Sequence, residues 1–238
     1  MPRFVLLMTY NLNYTNPRFG ATLDAIAAAD ADLVLLQEVS KDWRDALIRR
    51  FAASYPHRAF HLHARPAGGL AVLSKLPLAH DALWAPPAGT GAWYPAERLV
   101  AITRFGALQL LNVHLRPAKD RGSWVRGFLT TPKVRCAEIA AHWHRLDPTL
   151  PTIVAGDFNE APTGRAVVYL ARHGLTRVPT TGPTTWRYAA TSRGKTFDLL
   201  KLDLDHVMID HRLGATDAHV RDAGTSDHRP VIVTIAPR

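Results

Sequence analysis

Asp157 and Asn159 stand one residue apart in residues 151–160, directly behind a short apolar run over 152–155. The run reads as a buried strand, and Gly156 lets the backbone bend sharply where it ends. Such a strand end aims a carboxylate and a carboxamide at one point. An all-oxygen pair of that kind suits a hard divalent cation, a phosphate and a water. Alone, the stretch reads as a strand running into an ordinary Asp/Asn turn.

It does not stand alone. The apolar run 4–8 leads to Asn11, 33–36 to Glu38, and 108–111 to Asn112 and His114. Asp205 and His206 open the run 207–209, and Ser226-Asp227-His228-Arg229-Pro230 opens 231–235. Taken singly, Asn11 is a turn residue, Glu38 a helix cap or surface charge, and His114 a hydrogen-bonded structural histidine. Repeated at strand end after strand end, with Asn, Asp, Glu and His only, the clusters point to one shared site.

The elements that must position them follow in order. The pattern predicts strands over 4–8 and 33–36, with an Ala-rich helix over 17–29 between them. Asn16 is that helix's expected cap and Pro17 its first residue. A second amphipathic helix is expected over 42–52, then short strands broken by Gly and Pro at 69–74, 76–83, 99–105 and 108–113. A loop over 116–133 leads to a helix at 134–146, the 152–155 strand and a helix near 163–173. Residues 179–195 read as turn-rich, with Trp186 in their middle, and strands follow near 204–209 and 231–235. No repeat, low-complexity segment or linker interrupts this, so one domain over 1–238 is expected. The order predicts two mixed sheets face to face with helices on both outer sides, a four-layer α/β/β/α sandwich.

Of the 238 residues, 47% are hydrophobic and 21% charged, which excludes a disordered chain. Lys and Arg number 29 against 20 Asp and Glu, and the net charge of +9 favours a polyanionic partner. Cys136 is the single cysteine, so neither an intrachain disulfide nor a cysteine zinc site is expected. Arg3 precedes only five apolar residues, too few for a signal peptide, and no run approaches the ~20 residues of a membrane span. A soluble, cytoplasmic monomer is the expectation.

Taken together, Thr9-Tyr10-Asn11, Leu36-Gln37-Glu38-Val39, Gly69-Leu70-Ala71-Val72-Leu73-Ser74-Lys75, Asn112-Val113-His114, Gly156-Asp157-Phe158-Asn159, Leu204-Asp205-His206-Val207 and Ser226-Asp227-His228-Arg229-Pro230 resemble the endonuclease/exonuclease/phosphatase superfamily of divalent-metal phosphodiesterases and phosphatases. The resemblance implies the same α/β/β/α sandwich. It implies Mg²⁺, with Mn²⁺ as a substitute, held principally by Glu38, with Asn11 and Asp227 completing the environment directly or through water. It makes Asp157 the residue that orients or deprotonates the attacking water, and Asn159 the one that steadies it or a phosphate oxygen. His228 would contact the scissile phosphate with Asp205 orienting its ring, and His114 would stabilise or protonate the leaving oxygen from across the site. Whether Asp157 or His228 is the base stays open. Asp203 and Asp205 face the same side of an extended strand, and only the family motif favours Asp205. Glu97 is the nearest acid to partner His114, and Arg98 beside it and Asn112 are candidate substrate ligands.

For the substrate, residues 116–135 carry Arg116, Lys119, Arg121, Arg126, Lys133 and Arg135 against Asp120, with Trp124 among them. Basic side chains around an aromatic suit a nucleic-acid backbone and an unstacked base, and equally read as a solvated basic loop with Trp124 half in the core; Trp186 matches a position near the family's active site. A DNA or RNA nuclease is the first expectation. A phosphodiesterase or phosphatase acting on a phospholipid, inositol phosphate or other small phosphoester is the alternative, because the motifs handle the phosphate and not what hangs from it. A family member that only binds polyanions is disfavoured, since the inferred acids and histidines are all present.

Overall fold

A computed structural model describes residues 4–118, 123–192 and 195–238. The strands, in chain order, are β1 (Val5–Asn11), β2 (Leu33–Gln37), β3 (His57–His61), β4 (Leu70–Ser74), β5 (Leu78–Trp84), β6 (Ala96–Thr103), β7 (Gly106–His114), β8 (Thr152–Asp157), β9 (Leu175–Arg177), β10 (Trp186–Ser192), β11 (Lys195–Leu202), β12 (Asp205–Asp210), β13 (Leu213–Val220) and β14 (Val231–Pro237). The helices are α1 (Phe19–Ala29), α2 (Lys41–Phe51), α3 (Trp124–Trp143) and α4 (Arg165–Arg172).

Two six-stranded sheets form, in the orders β13-β14-β1-β2-β4-β3 and β5-β6-β7-β8-β12-β9. Each has a parallel pair at its centre, β1 with β2 and β7 with β8, and is otherwise antiparallel. Period-two alternation explains the packing. Leu7, Leu33, Leu35, Leu108, Leu110, Ile153, Ala155, Val207, Val231 and Val233 point inward and make the core between the sheets. Met8, Tyr10, Val34 and Leu36 point outward beneath Ile26 of α1 and Trp43 and Leu47 of α2. Leu111, Val113 and Val154 do the same beneath Ile139 of α3 and Ala166 and Leu170 of α4. The expected α/β/β/α sandwich is therefore the fold, and no helix among the described residues is long and apolar enough to cross a membrane.

Three local expectations are corrected. Helix α1 starts at Phe19, because the Asn16 side chain instead accepts from Arg18 N at 3.0 Å and donates to Thr225 Oγ1 at 3.1 Å. Helix α3 starts at Trp124, ten residues before its expected start. Ser123 caps it by accepting from Arg126 N, Thr131 Oγ1 donates to the Gly127 carbonyl one turn below, and Pro132 lies inside the helix. The turn-rich reading of 179–195 gives way to the hairpin β10–β11, and β9 and β13 are strands that no apolar alternation announced.

His142, on the inner side of α3, is buried and stacks on Trp84 with ring centroids 5.9 Å apart. Among the described residues neither of its ring nitrogens has a hydrogen-bond partner. Burial, with the nearby Arg145 charge, pushes it down to about 4. An unfolded imidazole gains its proton near 6.5, so this histidine's contribution is present above pH 6.5 and is lost as the pH falls towards 4. His142→Phe keeps the stacking and removes the unsatisfied nitrogens. It is expected to raise stability at pH 7 by about 1–2 kcal/mol and to lessen the acid sensitivity between pH 6.5 and 4, both read by urea unfolding at pH 7 and pH 5.

Candidate active site

The inward-facing rows that build the core turn polar at one end of the gap between the sheets. In β1 the row Val5, Leu7 continues to Thr9 and Asn11; in β2 Leu33, Leu35 continues to Gln37. In β7 Leu108, Leu110 continues to Asn112 and His114, and in β8 Ile153, Ala155 continues to Asp157. Asp205 opens the matching row of β12, paired in register with Asp157. The two parallel strand pairs thus end together, and their last inward side chains meet.

The deeper polar layer is structural. Gln37 Nε2 donates to Thr9 Oγ1 at 3.1 Å and to Asn112 Oδ1 at 2.7 Å, and Asn112 Nδ2 donates to Glu97 Oε2 at 2.8 Å. Asn112 is fully buried and its amide is spent inside this network, so its place as a substrate ligand is corrected. Arg98 is corrected too. Its neighbour Glu97 faces inward, so Arg98 faces outward and its guanidinium donates twice to Gln109 Oε1, at 3.0 and 2.8 Å. Glu97 does not partner His114. That ring donates from Nδ1 to the Ala67 carbonyl oxygen at 2.8 Å, just before the loop meets β4.

The outer layer is the candidate site. Asp157 Oδ1 accepts from Asn159 N at 2.8 Å, and Oδ2 accepts from Asn11 Nδ2 at 3.0 Å. The same Oδ2 lies 3.5 Å from His114 Nε2 and 3.6 Å from His228 Nε2. His228 Nδ1 donates to Asp205 Oδ2 at 2.8 Å, whereas Asp203 only accepts from Thr185 N at 3.2 Å. Asn11 Nδ2 also reaches Glu38 Oε1 at 3.1 Å, and Glu38 Oε1 stands 3.8 Å from His114 Nε2. Asp227 accepts from Asn13 Nδ2 at 2.8 Å and from Trp186 Nε1 at 3.0 Å. Asn159 donates from Nδ2 to the Leu115 carbonyl at 3.1 Å.

Backbone conformation marks the same place. Glu38 and Asn159 both have positive φ, 58° and 51°. For asparagine that is a tolerated turn conformation, but for glutamate it is uncommon and costs about 1–3 kcal/mol. Gly156, at φ 139°, runs so close to β7 that a Cβ there would collide with the Val113 carbonyl oxygen.

Charge is concentrated and little hydrated. Burial raises Asp157 above the usual carboxylate range, with the Asp205 charge adding and the two histidines opposing. Burial alone would lower His228, but the carboxylates of Asp205 and Asp157 outweigh it and hold it up at about 10. Glu38, Asp157, Asp205 and Asp227 set four acids against two histidines. Asp205 Oδ1, buried, has no hydrogen-bond partner among the described residues. With Asp205 spent on the His228 ring, the remaining acid excess of Glu38, Asp157 and Asp227 fits a divalent cation.

The sequence profile of the Endonuclease/Exonuclease/phosphatase family matches residues 8–228, which takes in every one of these side chains. The chain belongs to that family. Members of the Endonuclease/Exonuclease/phosphatase family are hydrolases acting on phosphoester bonds. No curated sequence relative matches. Among solved structures, an endonuclease/exonuclease/phosphatase from Beutenbergia cavernae superposes with a TM-score of 0.75 at 18% identity, over 99% of this chain and 72% of that one. Truncated Caenorhabditis elegans TDP2 gives 0.73 at 15%, over 98% of each chain. The human Nocturnin catalytic domain, solved with a bound sulfate anion, gives 0.69 at 18%, over 100% and 96%.

The rim of this candidate site was less legible. Lys119 and Arg121 lie outside the described residues, and Trp124 is described only as the backbone start of α3. Arg135 is buried, pairing with Glu160 Oε1 at 2.9 Å and donating to the Arg116 carbonyl at 3.0 Å, so it braces the loop instead of facing a ligand. Arg116 is mostly buried, its guanidinium 3.1 Å above the Trp93 ring. Missed altogether were Tyr94, which stacks on His114 at 4.7 Å, the carbonyl of Ala67, and Asn13 behind Asp227. Trp93-Tyr94, an aromatic pair in a Gly- and Pro-rich stretch, was the available signal.

Proposed function

We propose that the protein is a Mg²⁺-dependent phosphodiesterase, with Mn²⁺ as a substitute, that cleaves nucleic-acid strands. The observation that carries the chemistry is Asp157 Oδ2 held between His114 Nε2 and His228 Nε2, with Asp205 behind His228. Glu38 and Asp227 would hold the cation, with Asn11 fixing the Glu38 carboxylate. When bound, the cation supplies Lewis acidity towards the phosphate. His228, kept charged between two carboxylates, donates to a phosphate oxygen, which leaves Asp157 to accept the proton of the attacking water. His114, its Nδ1 committed to Ala67, presents Nε2 to the leaving oxygen. Asn159 fixes Asp157 from below.

For the substrate, the hairpin β10–β11 is rooted in the site: Arg187 N donates to the Asp227 carbonyl at 3.0 Å, and Trp186 bridges to His228. Tyr188, exposed, stacks on Trp186 with ring centroids 6.5 Å apart at 20°. Two aromatic faces leading away from the scissile position, on a chain of net charge +9, suit successive unstacked bases. Tyr188→Ala is expected to weaken single-strand binding by about 1–3 kcal/mol, roughly 5- to 150-fold, as read by fluorescence anisotropy.

A second reading rests on Leu199 and Leu200, exposed on the same hairpin, which suit a phospholipid surface. The deciding experiment compares single-stranded oligonucleotide, duplex DNA, RNA and phospholipid vesicles with Mg²⁺, Mn²⁺ or chelator. Cleavage of a nucleic acid, lost on chelation, is expected. Cleavage of phospholipid alone overturns the nucleic-acid reading. A folded protein that cleaves no phosphoester with either ion overturns the catalytic one.

A further inference from the structure

We propose that His61, Asp81 and Glu97 form a second cation site, for a transition-metal ion of the zinc class, which staples the two sheets at their open edge. His61 ends β3, the edge strand of one sheet; Asp81 lies on β5, the edge strand of the other, and Glu97 on its neighbour β6. All three face the gap between the sheets, beyond the buried network of Gln37 and Asn112. None belongs to the cluster proposed to handle the phosphate.

The geometry is that of ligands around one point. His61 Nε2 lies 2.9 and 3.1 Å from the two Asp81 oxygens and 3.6 Å from Glu97 Oε1, and one ligand atom from each residue falls within 4.8 Å of the others. A tetrahedral ion with bonds of about 2.0–2.1 Å separates neighbouring ligand atoms by about 3.3 Å, inside the observed range. Glu97 supplies the independent sign of a ligand. It is fully buried, its Oε2 is taken by Asn112, and its Oε1 has no hydrogen-bond partner among the described residues while pointing at His61 and Asp81. A buried carboxylate oxygen left without a donor is costly, and burial holds the Glu97 carboxyl up at about 8, so an ion would bind here by displacing its proton.

The donor set selects the ion class. One imidazole and two carboxylates, with His61 and Asp81 partly open to solvent, give three protein ligands and a place for water. That is a pattern of zinc and its neighbours; Mg²⁺ and Ca²⁺ prefer oxygen alone and more ligands. An ion here would tie β3 to β5 and β6, joining strands that otherwise meet only by side chains. Through Glu97 Oε2 it would also anchor the Asn112–Gln37 network that ends beside Glu38.

The test uses the full chain stripped of metal, with Mg²⁺ in excess to occupy the phosphate-handling site. Zn²⁺ is titrated by calorimetry and thermal melting into wild type, His61→Ala and Asp81→Asn, and wild-type crystals soaked in Zn²⁺ are measured at the zinc absorption edge. The expected result is an anomalous peak between His61 Nε2 and Glu97 Oε1, with a binding step and a rise in Tm that both variants lose. A peak confined to Asp157, Asp205 and His228, or none, overturns the proposal, as does binding retained in His61→Ala. If a variant fails to fold, the wild-type anomalous map decides alone. Because neither readout needs turnover, the result is independent of whether the protein proves to be a phosphodiesterase.

Discussion

Glu38→Gln is expected to lower turnover by roughly 10²–10⁴-fold while the protein remains folded. The side chain sits at the end of β2 with φ 58°, a conformation that a glutamate adopts only when its surroundings impose it. Asn11 Nδ2 and Tyr14 N each donate to one of its oxygens, at 3.1 Å. Glutamine keeps the length and one of those bonds but loses the charge that would hold the cation. A metal's stabilisation of developing charge amounts to several kcal/mol, and each 1.36 kcal/mol is tenfold in rate. Part of the loss should be recoverable at higher Mg²⁺, since weaker binding differs from absent chemistry. A companion variant, Glu38→Asn, places a residue that tolerates left-handed backbone and should melt no lower than wild type while being equally inactive. Unchanged turnover of Glu38→Gln at the same Mg²⁺ concentration would remove Glu38 from the metal site.

Much of this site was legible because period two is a strong signal. The alternation that puts Leu7, Leu35, Leu110 and Ile153 inward carries on to Asn11, Gln37, Asn112 and Asp157, so a shared polar end could be inferred from the strand runs. What alternation does not encode is depth. Asn112 and His114 lie on the same face of β7, yet one layer separates a buried amide tie from a side chain that faces Asp157. Arg98 was misplaced for the opposite reason, as it neighbours Glu97 and two successive strand residues face opposite ways. The hairpin β10–β11 escaped because exposed strands such as the one carrying Tyr188 bury too little to leave an apolar pattern. Helix α3 hid its first turns behind Pro132, which reads as a helix break because its missing N–H leaves one carbonyl of the preceding turn without its helical donor. The link from His114 to Ala67 runs to a backbone oxygen 47 positions away, which no side-chain motif can announce.

Asp205→Asn and His228→Ala should each be severe and together little worse than His228→Ala alone. The Asp205 carboxylate accepts from His228 Nδ1 at 2.8 Å, and both groups are buried. With Asp205 and Asp157 outweighing burial, the ring titrates at about 10 and stays charged at neutral pH. Asparagine keeps an acceptor but removes that charge and permits the other tautomer. Misplacing an acid–base group costs roughly 10²–10⁴-fold, and residues that act as a unit do not add. A second consequence separates orientation from mere packing. Without the Asp205 charge the folded pKa of His228 drops, by about 1–3 units for a lost neighbouring charge, so the basic limb of the pH–rate profile should move to lower pH. Stability should respond in the same sense. A raised folded pKa contributes fully below about 6.5 and fades as the pH rises through about 10, so Asp205→Asn should melt lower at pH 7 and converge on wild type at high pH. Asp203→Asn, which loses only an acceptor for Thr185 N, is the control and should be mild. The measurement is turnover of wild type and the four variants on one substrate across pH, with circular dichroism for folding. If the two single losses multiply, or the basic limb of Asp205→Asn stays where wild type has it, the carboxylate does not act through the ring, and His228 handles the phosphate without it.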